Sequence, residues 1–495
     1  MSRTIEPNSR VRSMRHIRPV NQSRTTPRTR SHAGEQALRD HSGRCIEPVV
    51  CICPHFEDQM HFCLGSFAVL APGARWFHSK QAIKDPLRKG ALEMTRAIII
   101  GGGIAGPTAA MALQRVAIEA VLYEAHPRTT GEVGSYFTVT PNGLGALRAI
   151  GALHTATAIG FPTHKNVLWN DRGRRLGTIP LGEPLPDGTV SQTIKRARLS
   201  RALQDEAIRR GVHVEFAKRL VDASTSADGR VVARFQDGSE AIGDLLVGAD
   251  GVHSVTRHII DPSAPGGHYI GLVNFGGYTS NGGVVAEREA WHLIFGRRAF
   301  FGYNVSASGD AVWFANVPRQ EVTPSERAST SAESWKCQLL ELFADDRGPA
   351  VDLIRRGKLE LAADNTYDLP HVPTWHNGRM IIIGDAAHAP APSSGQGASM
   401  AMEDAVVLAK ALRDVPDIPA AFDTYEQLRR ERVERIVAEG ARGSSSKTPG
   451  ALGRLVRDLM LPIVFRFCVT EKSLAWMYNY RVDLDSPVRL DARTA

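Results

Sequence analysis

The feature that most constrains this chain is an apolar strand ending in a spaced set of three glycines that leads straight into a helix. Ala97–Ile100 is read as a buried strand, and Gly101, Gly103 and Gly106 follow it. Ile104 to about Arg115, rich in Ala, is read as a helix, and Ala120–Tyr123 as a second strand. A strand–helix–strand unit of this kind belongs to a Rossmann-like α/β fold that holds a dinucleotide. The first glycine permits the tight turn, the second lets backbone approach a pyrophosphate, and the third lets helix and strand pack closely. The helix N-terminus offers unpaired N–H groups to phosphate charge. Glu124 lies 21 residues after Gly103, where a carboxylate accepts from ribose hydroxyls and repels a 2′-phosphate. Ala117 stands where the extended fingerprint usually carries glycine.

Two later segments narrow the ligand. Leu245-Leu-Val-Gly-Ala-Asp250-Gly251-Val-His-Ser-Val-Thr-Arg257 lies in the middle of the chain. Ile381-Ile-Ile-Gly384-Asp385-Ala-Ala-His388 leads into Gly395-Gln-Gly397 near the end. Asp385 at a strand end suits a sugar-like polyol, and a glycine-rich helix start suits a phosphate or a polarised ring edge. NAD has no ribityl chain and FAD does, so the ordered trio points to one FAD gripped along its whole length.

From Thr95 to about Glu439 the chain resembles the group A flavoprotein monooxygenases, which share the p-hydroxybenzoate hydroxylase fold. The tetracycline-hydroxylase and salicylate-hydroxylase-like members are the nearer in feel. The matching text is Gly101–Gly106 with Glu124, Gly248–Ser254 with Arg257, and the long run from Gly384 through Pro392 and Gly395 to Ala405, preceded by Trp375–Arg379. The resemblance implies that Asp385 binds the ribityl hydroxyls and that Arg196 contacts the flavin phosphate or ribityl region. It further implies that Glu124 holds the adenosine ribose, and that Gly395 and Gly397 bring N–H groups near the isoalloxazine. Asp250 is associated by the same likeness with FAD and NAD(P)H, and a purely structural role joining strand to loop weighs equally. His388 is read as structural, and Ser399 stands where some branches carry Asn. The implied reaction is reduction of bound FAD by transiently docked NADPH or NADH, oxygen addition at flavin C4a, and transfer of the distal oxygen to substrate. No side chain is assigned as catalytic, and no metal is required. A flavin-linked dehydrogenase or reductase of the same superfamily is the alternative, followed by a non-catalytic flavin-binding protein. The halogenase signature is met only in part at Trp313–Pro318, where Ala315 replaces the second Trp.

Charge argues against nucleic acid. Residues 1–94 hold 15 Lys and Arg against 8 Asp and Glu, whereas residues 95–495 hold 45 against 44. The body is therefore near neutral and lacks a basic stripe. No apolar run reaches the length of a membrane span. Cys337 and Cys468 are the only cysteines beyond the N-terminal tract, which suggests a reduced, cytoplasmic enzyme. Residues 1–94 read as an extension without fixed structure or an over-called start, with Met94 as the alternative beginning. Cys45, Cys51, Cys53, His55, His61 and Cys63 do not match a standard zinc spacing.

The expected organisation is an FAD-binding domain at 95–264 and 376–440, a mostly antiparallel β-sheet substrate domain at 265–375, and a C-terminal helical segment at 441–495. Arg196 to Arg210 is read as an amphipathic helix burying Leu199, Leu203 and Ala207, and Ala241–Val247 as one strand. Trp291, Phe295, Phe300, Phe301 and Tyr303 are candidates for an aromatic pocket, with half of them facing away because strand side chains alternate. The partners implied are O2 and a small apolar substrate, aromatic or polyketide. Leu452, Leu455, Val456, Leu459, Ile463 and Phe467 form a helical stripe read as core or partner face, which leaves monomer and homodimer both open.

Overall fold

A computed structural model describes residues 95–128, 134–445 and 451–489. The expectations for residues 1–94, including the Cys/His cluster, fall outside the described residues.

The strand–glycine–helix unit forms as the sequence predicts. Arg96–Ile100 pairs in parallel with Glu119–Glu124 on one side and Leu245–Gly248 on the other. Met380–Ile382 and His213–Phe216 extend this sheet in parallel, and a short antiparallel strand at His376–Asn377 closes one edge. Ile98, Ile99, Leu246, Val247, Ile381 and Ile382 are fully buried, as strands covered on both faces require. The helices Ala105–Arg115 and Gly397–Asp414 pack against each other over this sheet, with Met111, Leu113, Met400 and Leu408 inaccessible to solvent. Helix Arg196–Arg209 buries Leu199, Leu203 and Ala207, the face read from its periodicity.

A seven-stranded sheet holds the aromatic residues. Its order is Lys358–Asp368, His268–Thr279, Ala311–Pro318, Phe300–Val305, Ala290–Phe295, Lys165–Asn170, Arg175–Pro180. All pairs are antiparallel except that between 290–295 and 165–170. The fold is thus an α/β Rossmann-like domain with a mostly antiparallel sheet, and helices follow at the C-terminal end. Two details differ from the sequence reading. Residues 165–180 fall in the expected FAD-binding segment, yet their strands pair into the aromatic sheet. Residues 240–248 are two strands, not one. Glu240–Gly243 belongs to a separate three-stranded sheet and Leu245–Gly248 to the parallel sheet. The chain changes sheets at Asp244, whose backbone N–H donates to the Arg96 carbonyl and whose carboxylate accepts from the Arg96 N–H.

The described members of the C-terminal stripe are not core. Val456, Leu459, Ile463 and Phe467 on helix Ala451–Phe467 are exposed, and the side chains of Leu452 and Leu455 lie outside the description. Arg457, Leu461 and Phe465 point the other way, against the aromatic sheet. Among the described residues no helix is long and apolar enough to cross a membrane.

One buried carboxyl opposes stability at neutral pH. Asp346 accepts from the Arg297 N–H through Oδ1, while its Oδ2 is buried without a hydrogen-bond partner. Burial pushes this carboxyl up to about 6 against the pull of the Arg297 N–H, and the nearby Asp171 charge adds to the rise. A raised folded-state pKa contributes stability that is complete below the ordinary carboxyl range near 4 and is lost as pH rises through 6. Asp346→Asn is therefore expected to stabilise the protein by about 1 kcal/mol at pH 7.5, after allowing for solvent screening, and by nothing at pH 4. Thermal unfolding at the two pH values checks this; an equal shift at both would contradict it.

Candidate active site

The first glycine turn has the geometry its sequence demands. Gly101 adopts φ 105°, and a Cβ there would sit 2.4 Å from the Ala249 carbonyl oxygen. A Cβ at Gly106 would sit 1.9 Å from the Gly101 oxygen and 3.1 Å from Leu122 Cδ1, so helix and strand touch through the missing side chain. A Cβ at Gly103 would meet nothing within 4 Å among the described residues, which leaves its outer side open to a ligand. Ala117 takes the left-handed conformation at φ 60°, just past the helix end, where glycine would avoid roughly 1 kcal/mol of strain.

Glu124 braces this turn. Its carboxylate accepts from the Gly102 N–H at 2.6 Å and the His126 N–H at 2.8 Å. Two charge-assisted bonds fix its orientation, and it still lines the cavity. Asp250 is more fully engaged. It accepts from Ser254 Oγ at 2.5 Å and from the N–H and Oγ1 of Thr256 at 3.0 Å each, fastening the second motif to its own helix start. Arg257 is fully buried and donates to the carbonyls of Val252 at 2.8 Å, Pro265 at 3.0 Å and Ala386 at 3.0 Å. It thereby joins the second motif to the third. Burial lowers the pKa of this guanidinium, and the Asp250 charge opposes the fall.

Asp385 follows the strand Met380–Ile382 on a short turn and lines the cavity, with no hydrogen bond to its carboxylate among the described residues. Gly395 is left-handed at φ 61° and donates its N–H to the Pro392 carbonyl at 3.0 Å, while Gly397 opens the helix Gly397–Asp414, and both residues line the same space. Arg196 lines it from the first residue of its own helix. All nine sequence-designated residues (Gly101, Gly103, Gly106, Glu124, Arg196, Asp250, Asp385, Gly395, Gly397) lie at or directly behind one cavity wall.

Sequence reasoning missed the buried polar layer behind the glycines. His388 Nε2 lies 2.7 Å from Asp404 Oδ2, which also accepts the Gly384 N–H at 2.9 Å. Arg429 Nε donates to Asp404 Oδ1 at 2.7 Å, and its Nη1 lies 2.8 Å from Glu403 in an ion-pair contact. Arg432 reaches Glu403 at 2.9 Å, and Asn142 Nδ2 links Glu403 to Gln396. Burial alone would push the Asp404 carboxyl up, but the His388 and Arg429 charges and the Gly384 N–H outweigh it and hold it at about 2. His388 is thus committed to holding the Gly384 turn. Ser399 bonds Thr140 and packs on Gly143, a structural use of the position.

The cavity measures about 1930 Å³ and is continuous from Gly101 to the aromatic sheet. That is roughly twice the upper end for a drug-sized ligand, enough for an extended dinucleotide and a second molecule. Trp291, Phe295 and Phe300 line it, as do Phe314 and Leu168. Phe301 and Tyr303 lie on the opposite face with Trp313 and Phe343, as strand alternation requires. The donor set fits FAD: open helix-start N–H groups for the pyrophosphate, carboxylates placed for two polyols, and an aromatic chamber beyond.

Comparison with known proteins agrees. Residues 94–440 match the family model described as an FAD binding domain. The FAD-dependent urate hydroxylase of Klebsiella pneumoniae is 32% identical over 348 residues, covering 69% of this chain and 88% of that protein. The aurachin C monooxygenase/isomerase of Stigmatella aurantiaca is 30% identical over 398 residues, covering 78% and 95%. The crystal structure of Klebsiella pneumoniae HpxO with FAD and uric acid superposes with a TM-score of 0.66 at 28% identity, covering 77% of this chain and 97% of that one. The glycine turn, the two cavity carboxylates and these matches together place the chain in the FAD-binding-domain family, among the group A FAD-dependent monooxygenases.

Proposed function

We propose that this protein hydroxylates a largely apolar aromatic or polyketide substrate, using bound FAD, O2 and a transiently docked NADPH or NADH. The observation that carries the reading is the single cavity running from the glycine turn and Asp385 to an aromatic wall. In this role FAD supplies the electron transfer and oxygen activation. The protein does the positioning. Backbone N–H groups at Gly103 and the helix behind it would hold the pyrophosphate, Glu124 the adenosine ribose, and Asp385 and Arg196 the ribityl and phosphate region. Gly397 at the helix start would offer its N–H to the ring, and Gly395, whose own N–H goes to the Pro392 carbonyl, would shape the turn beside it. Asp250, with both oxygens engaged, acts by holding its loop. Trp291, Phe295, Phe300 and Phe314 give the substrate a flat apolar bed and exclude water from the reacting atoms. Trp291 is fixed in place by donating from Nε1 to Thr138 and Thr193 Oγ1 at 3.0 Å each. Cys337 and Cys468, both free and exposed, suit a reducing cytoplasmic setting.

The test is a screen of aromatic and polyketide compounds for substrate-stimulated NADPH and NADH consumption by the flavin-loaded enzyme, with product mass measured. A gain of one oxygen atom in the product is expected. Turnover without oxygen incorporation would make the protein a reductase. No nicotinamide oxidation with any compound, and no peroxide, would make it a non-catalytic flavin binder.

A further inference from the structure

We propose that the outward face of the C-terminal helix Ala451–Phe467 docks this protein on an anionic lipid surface. The proposal goes beyond the oxygenase chemistry and stands without it. Val456, Leu459, Met460, Ile463 and Phe467 recur at spacings of three and four, so they form one stripe along the helix. All five are exposed, Leu459 at 65% and Phe467 at 69%. Ten large apolar side chains are exposed among the described residues, and the other five fall one each on separate elements or loops. Single exposed apolar residues need no partner, whereas a contiguous stripe marks a contact surface.

The opposite face of the helix is already in use. Leu461 and Phe465 pack with Leu168, Phe295 and Phe300, and Gly177 admits the close approach, since a Cβ there would sit 2.4 Å from the Phe465 ring. Asp458, the one acid of the helix, turns inward to accept from Asn170 Nδ2 at 2.8 Å and to pair with Arg457 at 2.9 Å. The stripe therefore holds no carboxylate. Between the flanking helices Ile418–Ser445 and Glu471–Tyr478, residues 446–470 carry Lys447, Arg454, Arg457 and Arg466 against Asp458 alone. The rest of 95–495 carries 41 Lys and Arg against 43 Asp and Glu. An apolar stripe on a net-basic segment of an otherwise slightly acidic body complements anionic headgroups above acyl chains. A second copy is the poorer occupant. The stripe offers on the order of 500 Å², short of the roughly 800 Å² that each partner of a stable interface buries, whereas lipid needs no matching surface. Docked in this way, the helix has lipid on one side and the aromatic chamber on the other, about 10 Å apart, which is one helix diameter.

The experiment measures flotation of the full-length FAD-loaded protein with vesicles of three parts phosphatidylcholine to one part phosphatidylglycerol, and with vesicles of phosphatidylcholine alone. At about 0.15 M NaCl wild type is expected to bind the mixed vesicles at least about 3-fold tighter than the neutral ones. The basic charge of residues 1–94 would attract the same vesicles, so binding is measured again at about 0.5 M NaCl, where that attraction is screened and insertion of the apolar stripe remains. Leu459→Gln, Ile463→Gln and Phe467→Gln combined keep a good helix former at each exposed position and should weaken binding at 0.5 M by about 10-fold or more, with FAD content and Tm unchanged. Should the triple variant not fold, Leu459→Gln and Phe467→Gln alone are each expected to weaken it by about 3-fold or more. A wild type that does not float, equal binding to both vesicles at the lower salt, or binding that survives the substitutions overturns the proposal. So does light scattering that finds wild type dimeric and the substituted protein monomeric, which would give the stripe to a second copy.

Discussion

Arg429→Met is expected to destabilise the protein by about 3–5 kcal/mol, more than any other single change considered. Arg429 is fully buried between two fully buried carboxylates, Glu403 and Asp404. Methionine roughly fills the volume but returns no charge. Glu403 would keep Arg432, whereas Asp404 would keep only His388 and the Gly384 N–H. For a folded body of about 400 residues this is a fall in Tm of roughly 4–6 °C. The acid limb should move as well. Asp404 has a depressed folded-state pKa, so its contribution is complete above about 4 and is lost as pH falls from there to about 2. Without Arg429 the depression of Asp404 shrinks, so less stability is lost below about 4 and the gap between variant and wild type should narrow as pH falls. Thermal unfolding from pH 3 to 7 measures both effects, and a variant melting within 1 °C of wild type throughout would refute the argument.

Gly106→Ala should remove the flavin. The new methyl cannot coexist with the Gly101 carbonyl, since the atom in the way is backbone and cannot rotate aside. The helix must lift off the strand, which carries its N-terminal N–H groups away from the phosphate position. An overpacking cost of about 2–3 kcal/mol falling on the bound geometry corresponds to a roughly 30- to 150-fold weaker affinity. Gly103→Ala is the informative partner. Its methyl meets no protein atom, so the apoprotein should melt as wild type does, and any loss of FAD then reports how closely the ligand approaches. Flavin titration alongside Tm separates the two; Gly106→Ala retaining wild-type affinity would show that the turn does not serve the cofactor.

Much of this was legible because the determinants are local. A glycine that must turn left-handed, or pack a helix on a strand, is written into the residue itself, as at Gly101 and Gly106. Period-two alternation meant that about half of Trp291, Phe295, Phe300, Phe301 and Tyr303 would face away from the cavity, but which half required the register between the two strands and the second core. What escaped depends on distant pairing. Arg429 sits in Arg429-Arg430-Glu431-Arg432, which reads as a solvated helix face, and only contact with Glu403 and Asp404 makes it buried. The strands at 165–180 are too weakly patterned to name their partner, because parallel pairing with Ala290–Phe295 leaves no hairpin turn to announce it. The stripe on the C-terminal helix did not include Arg457, yet Val456, Leu459, Ile463 and Phe467 of that stripe face solvent and Arg457 on the same helix is buried.

The three carbonyl bonds of Arg257 have a consequence for ligand exchange. By tethering Val252, Pro265 and Ala386 to one rigid guanidinium, they set the gauge between the middle motif and the one that carries Asp385 before any cofactor arrives. The entropy of bringing those two half-sites into register is thus met during folding and not charged against affinity, which favours a prosthetic group retained over many cycles.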